Sequence, residues 1–212
     1  MIVIIGNPLW SSGPVGAPAG MVCGIAMAAA RDGARVELVG RIGDDADGDS
    51  LIIALAHLNV GHAALLRDPA RPTGLVSQAP EADEIDLTDD STPSLGPHTD
   101  GPELDPADVT LGLQYVSEFG VVVAVEGVSP AVLAACVDGA GFAEAHLVAI
   151  VPSGASAPSY VPAGATVLEA PDSETTAFAD LVGRYAAGLD RQLSHDAAFE
   201  AAIASEWERD SA

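Results

Sequence analysis

Residues 19–48 read AGMVCGIAMAAARDGARVELVGRIGDDADG, and three local signals in them leave little freedom of fold. Residues 21–31 are rich in Ala, the strongest helix former, and Gly33 stands just beyond them as a helix stop. Residues 34–39 follow as a strand with apolar side chains at Val36, Leu38 and Val39. The acidic, glycine-rich turn at 40–48 then leads into a second helix over 49–58, for which Asp47 or Asp49 is the expected N-cap. Helix, strand and helix joined by short turns are the repeating parts of a parallel α/β sheet.

The same alternation recurs along the chain. Residues 2–5 are a short apolar run closed by Gly6, Asn7 and Pro8, as expected of a buried parallel strand. A strand is predicted over 62–66, and strand, helix and strand over 120–125, 129–137 and 146–151, with Ser129 as N-cap and Pro130 in the first turn. Asp105-Pro106 opens a helix to about Ser117, residues 166–169 form a strand, and 173–189 form a long helix capped by Asp172 or Ser173. These elements predict an α/β domain over residues 1–190 with a mostly parallel, doubly wound sheet. A separate C-terminal helix lies in 191–212, with Leu193, Phe199, Ile203 and Trp207 spaced to dock it. Residues 72–104 break the pattern and read as a flap. From Glu81 to Asp108 there are ten acids and no base, so self-repulsion extends the segment.

Charge excludes several functions. The chain has 31 acids against 8 bases, a net charge of −23, and contains no lysine. A P-loop and a Schiff-base mechanism both require that missing amine. No basic side chain lies between Pro72 and Gly183, so binding to nucleic acid or to an anionic membrane surface is not expected. The acidity reads as an adaptation to solubility or high salt. Cys23 and Cys136 show no CxxC spacing, no run approaches membrane-span length, and the first residues lack a leader's basic region, which predicts a cytoplasmic protein. The five histidines form no i, i+4 pair, and Asp44, Asp45, Asp47 and Asp49 fit a turn and helix cap better than a cation loop, so no metal is expected. Ser153 and Ser156 lack a GxSxG setting.

Ala26, Gly33 and Gly43, together with ARDGARVELVGRIGDDADGDSLIIALAHLNVG at 30–61, resemble the first signature of the ribokinase (pfkB) carbohydrate-kinase family. Pro72-Thr73-Gly74 is similar to the PTG that opens that family's lid strand, and Asp105 to Asp108, Glu126 and Val128-Ser129-Pro130 look like its later strand and helix entries. The resemblance spans about residues 2–151 and is most specific from 20 to 74. It implies a Rossmann-like three-layer α/β/α sandwich with a small β-lid, in segments of about 8–18 and 72–104, through which a homodimer forms. It also implies a sugar or nucleoside position lined by Gly20, Gly24 and Glu126, with Trp10 in the lid. Of these, Glu126 keeps a side chain suited to binding a hydroxyl.

The departures from the family pattern concern chemistry. Gly24 stands where the family carries a sugar-binding Asn, and Trp10, Ser11 or Ser12 replaces its N-terminal Asp. The Gly-Ala-Gly-Asp catalytic loop is absent. One alignment sets residues 173–178 in its place, with Thr176 at the base position. A second sets LEAPDSETTAF, 168–178, against the earlier PNxxE motif, as in a kinase cut off before its nucleotide half. Asp172 and Thr176 are the cofactor-site residues these alignments imply. Thr is no base at neutral pH. The resemblance therefore implies a carbohydrate-kinase-like protein without ordinary ATP-dependent phosphoryl transfer and with no cofactor. Such a protein acts by binding a sugar or nucleoside, or as a partner or regulatory subunit. The alternative is an active sugar or nucleoside kinase that uses ATP and Mg.

Overall fold

The computed structural model describes residues 1–12, 15–76, 98–99, 101–116, 118–125, 127–172 and 176–209. Its main sheet has six parallel strands: β1 (Ile2–Ile5), β4 (Val36–Gly43), β5 (Val60–Asp68), β8 (Val121–Ala124), β9 (His146–Val151) and β10 (Thr166–Glu169). Their order is β10-β9-β8-β1-β4-β5, with Ile2 facing Val36 on one side and Val121 on the other. The first strand is therefore central, and the chain winds outward from it in both directions.

Alternation along β1 explains the layers. Ile2 and Ile4 point into a core shared with α1 (Gly20–Arg31), α2 (Ala46–His57), α5 (Thr176–Asp190) and α6 (His195–Arg209). Val3 and Ile5 point the other way, into a core shared with α3 (Pro106–Tyr115) and α4 (Pro130–Phe142). Both faces of a parallel sheet must be covered, so its strands are apolar almost throughout. A second, small sheet, ordered β3-β2-β6-β7, is built from β2 (Leu9–Ser11), β3 (Ala17–Ala19), β6 (Leu75–Val76) and β7 (His98–Thr99). These strands fall in the two segments expected to form a lid. Most of the acidic flap, residues 77–97, lies outside the described residues.

Small residues set how α1 and α5 meet. A Cβ on Gly24 would stand 2.9 Å from the Cβ of Ala179, and one on Gly183 would stand 2.6 Å from the Cβ of Ala28. Partners four residues apart in the same sense on both helices mean that they run parallel. Their first turns thus lie side by side at the carboxyl edge of the sheet.

Two sequence expectations require correction. The N-cap of α2 is Asp45, two residues before Asp47 and four before Asp49: its backbone is extended and its carboxylate accepts from the Gly48 N–H at 2.8 Å. Asp47 and Asp49 instead sit in the first turn, where the helix dipole favours acids, and Asp49 binds Arg67 at 2.5 Å. The docking face of α6 is also not the large apolar stripe. Ala198 and Ala202 are the buried pair, at 0% and 1% exposure, while Leu193, Phe199 and Ile203 remain exposed. The cause is close approach to α5, where Gly188 leaves room for the Ala198 backbone. The side chain of Trp207 lies outside the described residues.

Candidate functional site

In an open α/β sheet, ligands bind beyond the carboxyl ends of the strands where the winding direction reverses. Here that point lies between β1 and β8. A cleft of about 830 Å³ opens there, lined by Gly6 and Asn7 after β1, Arg41 near the end of β4, Asp68 at the end of β5, and Gly127 to Ser129 after β8. Residues 101–106, which lead into α3, close its remaining side.

Arg41 organises the cleft. Its Nε and Nη2 donate to the two carboxylate oxygens of Asp108 at 2.7 and 3.0 Å, a bidentate pair. Asp68 lies 3.5 Å and Asp105 3.7 Å from the same guanidinium. The Asp108 bond, reinforced by these neighbouring charges, holds the Arg41 pKa above its ordinary value despite partial burial. Asp105 and Asp108 also form a capping box, each accepting from the other's backbone N–H, so the α3 N-terminus and the ion cluster are one assembly. Arg71 faces Glu103 at 3.5 Å on the rim. Asn7 accepts from the Arg41 N–H at 2.8 Å and donates to the carbonyl of Pro102, which ties the 101–104 segment to the end of β1.

A second cluster fastens the lid strand β6 to the body. Asp45 accepts from the Thr73 hydroxyl at 2.7 Å, the Thr73 N–H at 2.8 Å and the Gly48 N–H, while the hydroxyl of buried Thr73 also accepts from the Gly43 N–H at 3.0 Å. Burial pushes the Asp45 carboxyl upward, but the bonds from Thr73 and Gly48 outweigh it and leave its pKa below the ordinary value. Pro72-Thr73-Gly74 thus acts as an anchor for the lid.

The residues expected at a ligand site are placed unevenly. Gly20 opens α1 with a left-handed φ of +77°, packed over Leu9, whose side chain lines the cleft. Gly24 lies one turn further, at the crossing with Ala179. Trp10 is half-buried on β2, packed on the core and covered by Gly16. Glu126 lies outside the described residues, and Gly127 beside it lines the cleft. Asp172 and Thr176 are exposed at the start of α5 and do not line the cleft. Ser11, one of the residues at the position of the family's N-terminal Asp, is 4% exposed, and its hydroxyl has no hydrogen-bond partner among the described residues.

Sequence reasoning missed Asn7, Arg41 and Asp68. The available signal was position: Asn7 directly follows the first strand, and Arg41 is the single base in β4. Among the described residues, no group of three or more His, Cys, Asp or Glu is arranged to hold a metal, and no helix is long and apolar enough to cross a membrane.

No protein-family model matches this sequence, and no curated protein matches it. Solved structures do match. The crystal structure of Sa239 superposes with a TM-score of 0.70 at 14% identity, covering 95% of this chain and 90% of that one. A ribokinase from Giardia lamblia superposes with a TM-score of 0.67 at 16% identity, covering 95% and 91%. An uncharacterized sugar kinase from Pyrococcus horikoshii gives 0.54 at 18% identity, with 71% of this chain spanning about half, 54%, of that one. The fold is therefore ribokinase-like, as the sequence resemblance implied.

Proposed function

We propose that this chain is a ribokinase-fold protein that binds a neutral sugar or nucleoside in the cleft between β1 and β8 and does not carry out ordinary ATP-dependent phosphoryl transfer. The observation that carries this reading is the state of the cleft's cations. Arg41 is held by Asp108, Asp68 and Asp105, and Arg71 faces Glu103, so both guanidinium groups are already matched by carboxylates. A triphosphate needs uncommitted positive charge or a metal to offset its own charge. Hydroxyl groups need acceptors, and the cleft offers the exposed carboxylate of Glu103, with Glu126 immediately before Gly127 in the chain. The absence of a Gly-Ala-Gly-Asp base agrees with this. Calorimetry with sugars, nucleosides and Mg-ATP is the test. Sugar or nucleoside binding without nucleotide binding is expected, and micromolar ATP affinity with ADP release would sink the proposal.

One observation favours an active kinase instead. The parallel first turns of α1 and α5 bring two helix N-termini together at the carboxyl edge, a setting suited to an anion. In that reading Asp172 and Thr176 flank the nucleotide phosphates and ATP with Mg is required. Phosphorylation of a sugar or nucleoside, abolished by Glu126→Gln or Asp172→Asn, is its signature.

A further inference from the structure

We infer that the outer face of the α3–α4 layer is a self-association surface, on which a second copy of this chain docks by two-fold symmetry. Charge gives the first argument. In a chain with 31 acids and a net charge of −23, the 10 residues of α3 and the 13 of α4 contain two charged side chains between them. One, Asp108, is buried and bound to Arg41, which leaves Asp138 as the exposed charge. On α6, by contrast, Asp196, Glu200, Glu206, Glu208 and Arg209 fall within 15 residues.

Shape gives the second argument. A groove of about 1030 Å³ runs between α3 and α4, lined by Ala131, Ala134 and Ala135 of α4 and by Leu113, which seats on Gly139, and Phe119. Phe142, at the end of α4 and on the groove's margin, is 95% exposed, and Tyr115 on α3 is 74% exposed. Isolated exposed apolar residues are ordinary on protein surfaces. An apolar groove with a projecting aromatic ring at its edge is a contiguous feature, of the kind that marks an interface. Knob and hole on one face are what an isologous contact requires, because a two-fold axis places each Phe142 at the other copy's groove. Small side chains on the floor permit two helix layers to approach within the usual ~8–10 Å.

The occupant follows from the same charge distribution. Two copies repel wherever acid meets acid, and on this nearly neutral face that repulsion is small. A basic partner would be drawn to the acidic surfaces instead, and would find here only the rim acids Glu118 and Asp138.

Sedimentation equilibrium of the full chain tests the inference, run in ~1 M NaCl, where the screening length is about 3 Å. A dimer is expected, tightening as salt is raised from ~0.1 M because screening removes the residual repulsion between copies. Phe142→Asp is expected to weaken it at least ~30-fold, the loss of a central aromatic anchor. Because residue 142 is exposed, the far-ultraviolet circular dichroism of that variant should equal that of the parent. Ala135→Leu, which fills the groove, should weaken the dimer in the same direction. Val15→Asp, on the lid at 83% exposure, should leave it intact. A monomer at ~100 µM in ~1 M NaCl, a level of association weaker than specific interfaces show, overturns the inference. So does a dimer indifferent to Phe142→Asp, or one dissolved by Val15→Asp, which would place the contact at the lid.

Discussion

Two concavities meet along α3 and are held open in opposite ways. The cleft beyond β1 and β8 is shaped by ion pairs: Arg41 joins β4 to Asp68 of β5 and to Asp105 and Asp108 at the head of α3. The groove on α3's outer flank is shaped by what is missing, namely side-chain volume at the alanines of α4. Pro106 borders both. Of the chain's eight arginines, Arg41 and Arg71 line the cleft, and none lines the groove. One concavity should therefore fail when a charge is removed, and the other should be indifferent to most single changes in its lining.

The largest effect is expected from Arg41→Leu. It leaves the Asp108 and Asp68 carboxylates, 8% and 14% exposed, facing one another without their cation. Breaking such a pair from one side costs about 3 kcal/mol, which for a chain of this size lowers Tm by roughly 6–12 °C. Thermal melts followed by circular dichroism measure it. A shift below ~2 °C would mean that water enters the cluster freely and that the cleft is not held by charge.

Asp45→Asn should act next. Asn keeps one acceptor oxygen, but the charge that receives bonds from Gly48 and from both donors of Thr73 is lost, at about 1–2 kcal/mol. The pH dependence has a definite sign. Because the folded pKa of Asp45 lies below the ordinary value of 3.8, its contribution is fully present above that value and disappears as pH falls through the folded pKa. Urea midpoints of parent and variant should therefore differ near neutrality and converge in acid. A constant gap across the acid range would show that the carboxylate's charge does not fasten the lid.

How much of this was legible beforehand depended on whether the signal was local. The winding of the sheet was readable because β1, β4, β8 and β9 are short apolar runs separated by capped helices, and Ser129-Pro130 and Asp105-Pro106 announce their caps within two residues. The cap at Asp45 was misplaced because four acids share the turn and its true partner, Thr73, is 28 residues away. The cluster around Arg41 was illegible for the same reason: Asp68 and Asp108 lie 27 and 67 residues from it in sequence. On α6 periodicity misled, since spacing predicts that a large apolar stripe is buried. Local sequence does not reveal that Gly188 on α5 makes the small pair Ala198 and Ala202 the better fit.

The smallest effect belongs to the groove and separates the two concavities most sharply. Phe142→Ser, measured on dilute protein where no self-association operates, should change stability by no more than about 0.5 kcal/mol, because a side chain 95% exposed gives up little buried area. The same variant should weaken the dimer, read as a lower dimer fraction at high concentration. A loss above ~1 kcal/mol in the dilute protein would instead mean that the ring is packed within its own subunit. The groove would then be filled rather than open, and the contrast with the charge-built cleft would fail. Neutral folding stability combined with weakened association is the result that only an intermolecular role for the ring produces, since no contact inside the subunit is removed.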